Sequence, residues 1–177
     1  MKKLTFLQIV AATGLWLSAS VPAQAAGLDG GQILGIYIQV NSFDIESALL
    51  ARAQGASAAL RKLAAHVAAD HIGVRKAAYD LAQKCGVTPT TPAERVAAAS
   101  DHAAAMQRLA ALQGAEFDKA YLRHEEAFHA GAIDAAKKLL EPAASCAELR
   151  AHLHEILQAF EGHLSQTRAM AREVGSR

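Results

Sequence analysis

Apolar residues recur at three- and four-residue intervals along most of the chain. Between Ser57 and Cys85 the line is Leu60, Leu63, Val67, His71, Val74, Ala78, Leu81 and Cys85. After Ser145 it is Leu149, Leu153, Ile156 and Phe160, continued by His163, Thr167, Met170 and Val174. This spacing marks the narrow seam of a helix in a bundle. From Gln32 to Gln54 the matching line is Ile33, Ile36, Val40, Phe43, Ser47 and Leu50. From Ala115 to Leu140 two lines run side by side. One is Phe117, Tyr121 and Phe128; the other is Leu122, His129, Ile133, Ala136 and Leu140.

Glycine, proline and capping residues bound these segments. Gly55 separates the first two helices, and Gly86 stops the second. Thr91-Pro92-Ala93-Glu94 opens a further segment, to Leu112, with proline at the first helical position. Pro142 closes the next helix, and Ser145 with Glu148 predicts a capping box for the last. Ala93 to Leu112 holds few large apolar residues, which predicts a crossover helix on the outside. The expected architecture is all-α. It is a ferritin-like four-helix bundle with a helical crossover between the second and third core helices.

Composition agrees. The chain is 52% hydrophobic but only 5% aromatic, because alanine supplies much of the apolar count. Alanine favours helix, and sparse β-branched residues argue against sheet folds. Net charge is +1 with no basic run, so nucleic-acid binding has no electrostatic basis. Lys2-Lys3, the apolar stretch Leu4 to Leu17 and the small-residue site Ala23-Gln24-Ala25 read as a secretory signal peptide, residues 1–25. The expected mature domain is 26–177, without a membrane span, in the periplasm or cell envelope. Peripheral association with the envelope is compatible with this, and the oligomeric state is open. The absence of a cysteine after the cleavage site argues against a lipoprotein.

Eight histidines are the unusual feature. In the crossover topology His71, His129, His163 and Glu46 fall at one height, roughly 20–27 Å from the same bundle end at 1.5 Å per residue. Three imidazoles and a carboxylate would suit a transition metal such as Zn, Cu, Fe or Ni. The carboxylate could be Glu46 or Asp44; two residues apart, only one of them can face the axis. Asp70 could serve only from the flank. Glu126 with His129 has the Glu-x-x-His spacing of di-iron bundles, but the second such pair is missing. A buried polar layer that sets helix register fits the same residues. His66, His102, His124, His152 and His154 read as surface residues.

Cys85 and Cys146 fall at the same bundle end in this topology, and an exported protein can hold a disulfide between them. No Cys-x-x-Cys-His, Gly-x-Ser-x-Gly, P-loop or dinucleotide turn is present.

Several stretches carry a family resemblance. They are Phe43-Asp44-Ile45-Glu46, Leu63 to His71 with its Asp70-His71 pair, Gly86-Val87-Thr88-Pro89, Leu112 to Tyr121, and the later His129 and His163. Together they resemble the exported bacterial domain-of-unknown-function family 4142, from about Gly31 to Met170. The resemblance implies a ferritin-like fold and no established activity. The family's common outer-membrane label finds no spanning-strand pattern here. Where the family usually has Gln-Arg-Met this chain has Ala65-His66-Val67, and Phe128 replaces its usual Asp. The reading is an exported bundle, leaning away from an enzyme, that binds a metal ion or small ligand in its mid-bundle layer. The alternatives are a structural or stress-response envelope protein with a metal-free histidine layer, and a redox metalloenzyme.

Overall fold

A computed structural model describes residues 27–175. The expected signal peptide lies outside them. The described residues form helices α1 (Gly30–Gln54), α2 (Ala58–Cys85), α3 (Arg95–Ala110), α4 (Gly114–Ala135), α5 (Glu141–Ala143) and α6 (Ala147–Gly175). A π-helical turn, Ala136–Leu140, joins α4 to α5. No strand occurs among the described residues. None of their helices is long and apolar enough to cross a membrane.

Local chemistry sets the ends. Asp29 caps α1, accepting from the Gln32 amide at 2.8 Å while Gln32 reaches back to the Asp29 amide. Ser57 caps α2, and Gly86 ends it in the left-handed region at φ 65°, where glycine pays no Cβ penalty. The capping box expected at Ser145 is not formed. The Ala144 carbonyl is instead held by the Arg150 guanidinium, and the first helical bond runs from the Arg150 amide to the Cys146 carbonyl.

Helices α1 and α2 form one hairpin, and α4 pairs with α6. The hairpins meet through α1 against α4 and α2 against α6. One end packs Ile33, Leu34, Leu81, Ala82, Leu140, Leu149 and Leu153. The other packs Ala51, Leu60, Leu63, Phe117, Tyr121 and Leu109. The start of α1, the end of α2, the end of the α4 segment and the start of α6 therefore share one end. Helix α3 carries the chain across to the other. Near its start, Arg95 donates to Gln39 at 2.8 Å; near its end, Gln54 donates to the Ala110 carbonyl at 3.3 Å. This is the crossover path the sequence predicts.

Two staples hold the ends. Cys85 and Cys146 are bonded, with a sequence separation of 61. In the chain-entropy view, closing so long a loop stabilises by about 4 kcal/mol. At the opposite end the buried Asp118 accepts from the Ala56 and Ser57 amides at 2.8 and 3.0 Å, tying α4 to the α1–α2 turn. The stretch from Gly114 to Tyr121 thus has distinct local roles. Gly114 turns the chain at φ 59°, Phe117 and Tyr121 fill the core, and Asp118 holds the neighbouring turn.

The seam expected on α1 is displaced. The buried line is Ile33, Tyr37, Asn41, Asp44, Ala48 and Ala51, whereas Val40, Phe43 and Leu50 are only half-buried. The larger apolar residues face outward because α3 covers them: Val40 and Phe43 line a cavity of about 440 Å³ beneath it. On α6, Leu157 is buried and Ile156 half-buried, another small rotation from the expected line.

The loop after α2 lies tightly over α1. The Thr90 amide donates to the Gly31 carbonyl at 3.0 Å, and a Cβ on Gly35 would stand 2.0 Å from the Thr90 carbonyl oxygen. Gly73, in contrast, has open space around it. Gly35→Ala is expected to destabilise by roughly 1–3 kcal/mol, the range for forced overpacking. Gly73→Ala should stabilise by up to about 1 kcal/mol through helix propensity. Thermal denaturation of the two variants checks this opposition in sign.

Candidate metal centre

Between the two apolar ends lies a polar layer. Asn41, Asp44 and Ser47 come from α1, His71 from α2, Glu125 and His129 from α4, and His163 and Thr167 from α6. All eight are at most 3% exposed. One sequence line supplies each helix's share. Asp44 follows Asn41 and Tyr37 on the buried line of α1. Tyr121, Glu125 and His129 are successive fourth residues on α4. His163 and Thr167 are likewise one turn apart on α6.

Outer partners set the histidine tautomers. The Asn41 side-chain amide donates to the Tyr37 carbonyl at 2.7 Å, which leaves its oxygen as an acceptor. The His71 Nδ1–H donates to that oxygen at 2.8 Å. The His129 Nδ1–H donates to the Glu125 backbone carbonyl at 3.2 Å. The His163 Nε2–H donates to Asp70 Oδ2 at 2.9 Å. With one ring nitrogen of each neutral imidazole committed as donor, the other carries a lone pair.

Those lone pairs belong to His71 Nε2, His129 Nε2 and His163 Nδ1. All three are buried and have no hydrogen-bond partner among the described residues. The three histidines present ligand atoms within 4.8 Å of one another. Asp44 Oδ2 lies 3.1 Å from His71 Nε2 and 3.4 Å from His129 Nε2, yet neither Asp44 oxygen makes a hydrogen bond. Three imidazole nitrogens thus gather in one buried place, and the Asp44 carboxyl stands against two of the rings. Phe160 stacks on His71 at a centroid distance of 5.0 Å and keeps this side of the layer apolar.

Glu125 stands beside this set. Its Oε1 accepts from the Ser47 hydroxyl at 2.8 Å, and its Oε2 is buried without a partner. Asp44, Glu125 and His129 form a second group whose ligand atoms lie within 4.8 Å. Tyr121 Oη and Thr167 Oγ1 are further buried polar atoms lacking a partner among the described residues.

Burial dominates the electrostatics. It pushes the His71 imidazolium down to about 2, with His129 and His163 adding to the effect. It pushes His129 down to about 4; His163 adds, and the Glu125 carbonyl opposes. His163 is lowered by burial against the opposing pull of Asp70. Burial raises Glu125 to about 7, with the Ser47 bond opposing, and holds Asp44 well above the usual carboxylate range with Glu125 adding. Neutral imidazole is the form a metal needs.

His71, His129 and His163 share the layer as the sequence predicts, but the carboxylate is Asp44. Glu46 faces outward: its side chain is 61% exposed and bonds His102 at 2.9 Å. Asp44 and Glu46 are about 200° apart on the helix, so burying the first turns the second away. Asp70 sits on the flank, bonded to His163. Glu126 pairs with Arg168 at 3.0 Å, away from the layer. Three presumed surface histidines are not open to solvent. His102 is buried, stacked on Phe43 at 4.1 Å, and His124 is half-buried. His152 is half-buried too, against the Tyr37 hydroxyl at 3.0 Å. Glu125 was not anticipated, although its place midway between Tyr121 and His129 was a usable signal.

The model of the family described as "Domain of unknown function (DUF4142)" matches residues 17–170. The chain belongs to the DUF4142 family. Comparison with curated proteins and with solved structures finds no match. In this DUF4142 chain the resembling stretches divide between staple and layer. Asp118 belongs to the first; Asp44, His71, His129 and His163 belong to the second.

Proton linkage gives the layer a measurable sign. Burial lowers five histidines: His71, His124, His129, His152 and His163. Unfolded, each takes up a proton near pH 6.5, whereas folded it resists. Their contribution is complete above that pH and is lost as pH falls. Asp44 and Glu125 hold protons more tightly in the folded state and act oppositely, but they are two against five. The thermal midpoint of chelator-treated protein is expected to fall between pH 7 and pH 5. A flat or rising midpoint would mean the layer carries its protons as imidazolium–carboxylate pairs.

Proposed function

We propose that this protein is an exported envelope protein that binds one first-row transition metal ion in the mid-bundle layer. His71 Nε2, His129 Nε2, His163 Nδ1 and an Asp44 oxygen are the ligands. One observation carries the reading: three imidazoles, each locked by an outer acceptor, bring ligand atoms within 4.8 Å of one another, and two of them lie within 3.4 Å of a buried carboxyl. Histidine ligands to metals commonly donate their second ring N–H to a carbonyl or carboxylate. Asn41, the Glu125 carbonyl and Asp70 fill that role here.

A purely structural polar layer fits less well. Such layers stabilise when their groups are satisfied, and each unsatisfied buried group costs about 1–3 kcal/mol. Here three inward imidazole nitrogens lack partners among the described residues. A bound cation would satisfy all of them at once. The ligand set suits Zn, Cu, Fe or Ni, and the identity of the ion decides between storage or capture and redox chemistry. Export rests on the N-terminal sequence pattern.

Elemental analysis of protein purified without a histidine tag should find about one transition-metal equivalent per chain, the occupancy of a single such site. His71→Ala with His163→Ala should abolish it, whereas Glu46→Gln should leave it intact. Metal retained by the double variant would refute the assignment. For export, intact-mass analysis of the protein from a periplasmic fraction should show a chain beginning at Ala26. An uncleaved chain in the cytoplasm would overturn that part.

A further inference from the structure

Every ligand of the layer is at most 3% exposed, so an ion needs a way in. A cleft of about 390 Å³ opens between α2 and α6, where Ala69, Gly73, Ala77 and Ala159 leave room. Its lining also includes Asp70 and His163. The larger cavity under α3 includes Phe160 in its lining but none of the three layer histidines.

Asp70 Oδ2, in the cleft lining, is shared with His66, which lines a separate hollow between the same two helices. It lies 2.9 Å from His163 Nε2 and 3.4 Å from His66 Nε2. His66, Asp70 and His163 present ligand atoms within 4.8 Å of one another. Side-chain exposure falls from 55% at His66 through 41% at Asp70 to 4% at His163. His163 therefore belongs to both clusters, its Nε2–H bonded to Asp70 and its Nδ1 buried without a partner among the described residues. Edge-to-face packing of the His66 and His163 rings, with centroids 5.6 Å apart, holds the outer trio together.

We propose that His66 and Asp70 form an outer cation-capture site that loads the buried layer through the α2–α6 cleft, with His163 passing the ion inward. This rests on the layer being a metal centre. Asp70 attracts the cation at the mouth, and His66 supplies an exposed ring nitrogen. The ion then leaves Asp70 for His163 Nδ1, the nitrogen with the lone pair, while Nε2–H keeps its bond to Asp70. The outer site is a way station: it changes how fast the ion arrives and leaves, not how tightly the layer holds it. Asp70 also orients His163, so its replacement would mix rate with affinity. His66 and Gly73 separate the two, because neither touches a layer ligand atom on the inner side.

The test is stopped-flow absorption of Co²⁺ entering the chelator-stripped full mature chain, read from its ligand-field bands. Two variants serve: His66→Ala, which removes the outer nitrogen, and Gly73→Trp, whose side chain would enter the open space in the cleft. Each is expected to slow both loading and chelator-driven release by roughly tenfold, about 1.4 kcal/mol on each barrier. The dissociation constant and the final Co²⁺ spectrum should match the wild type. Wild-type rates in both variants would overturn the loading route while leaving the metal centre standing. Altered affinity or spectrum in His66→Ala would overturn it too, by making His66 part of the layer. Failure of the wild-type chain to take up Co²⁺ or any of Zn, Cu, Fe and Ni would overturn the metal centre and the route together.

Discussion

The fold depends on burying a carboxylate and three imidazoles at one level of a narrow bundle. Isolated charges in such a place are too costly to keep. The layer is therefore organised around neutral rings whose outer nitrogens are satisfied by Asn41, the Glu125 carbonyl and Asp70. What remains uncompensated is concentrated at the centre, on Asp44 and the inward nitrogens. The core is divided by this requirement. Large apolar side chains pack above and below, and polar groups from all four long helices meet between them.

A layer of this kind works only if helix heights are controlled, because one turn of slip moves a ligand by about 5.4 Å. The staples stand at the two ends. The Cys85–Cys146 bond joins the end of α2 to the start of α6, the helices that carry His71 and His163. Asp118 ties the start of α4, which carries His129, to the turn joining α1 and α2. The close passage of the Thr90 backbone over Gly35 seats α1. The crossover helix is joined to the rest by longer-reaching side chains. His102 packs on Phe43 and Gln54 reaches the end of α3, while a cavity remains beneath its middle.

Much of this was legible along the chain. Three-four spacing marked the four long helices, glycine and proline marked their ends, and the weakly apolar segment from Ala93 to Leu112 identified the crossover. Heights counted along the helices brought His71, His129 and His163 together and paired the cysteines. The failures on α1 share one cause. On α1 the seam was traced through Val40, Phe43 and Leu50 because they are large and apolar, but α3 covers that face and makes it half-buried. Rotating the seam onto Tyr37, Asn41 and Asp44 turned Glu46 outward, and the same covering helix buried His102.

The sequence by itself determined the helices, their order, their heights and the identity of the three histidines. These follow from periodicity and a constant rise per residue, both local properties. Only the tertiary structure decided which carboxylate faces the axis, which ring nitrogen of each histidine points inward, and that Asp70 and His66 both meet His163. Those depend on helix rotation, and rotation is set by what packs on the opposite face. A neighbour more than fifty residues away can supply that packing, as α3 does for α1.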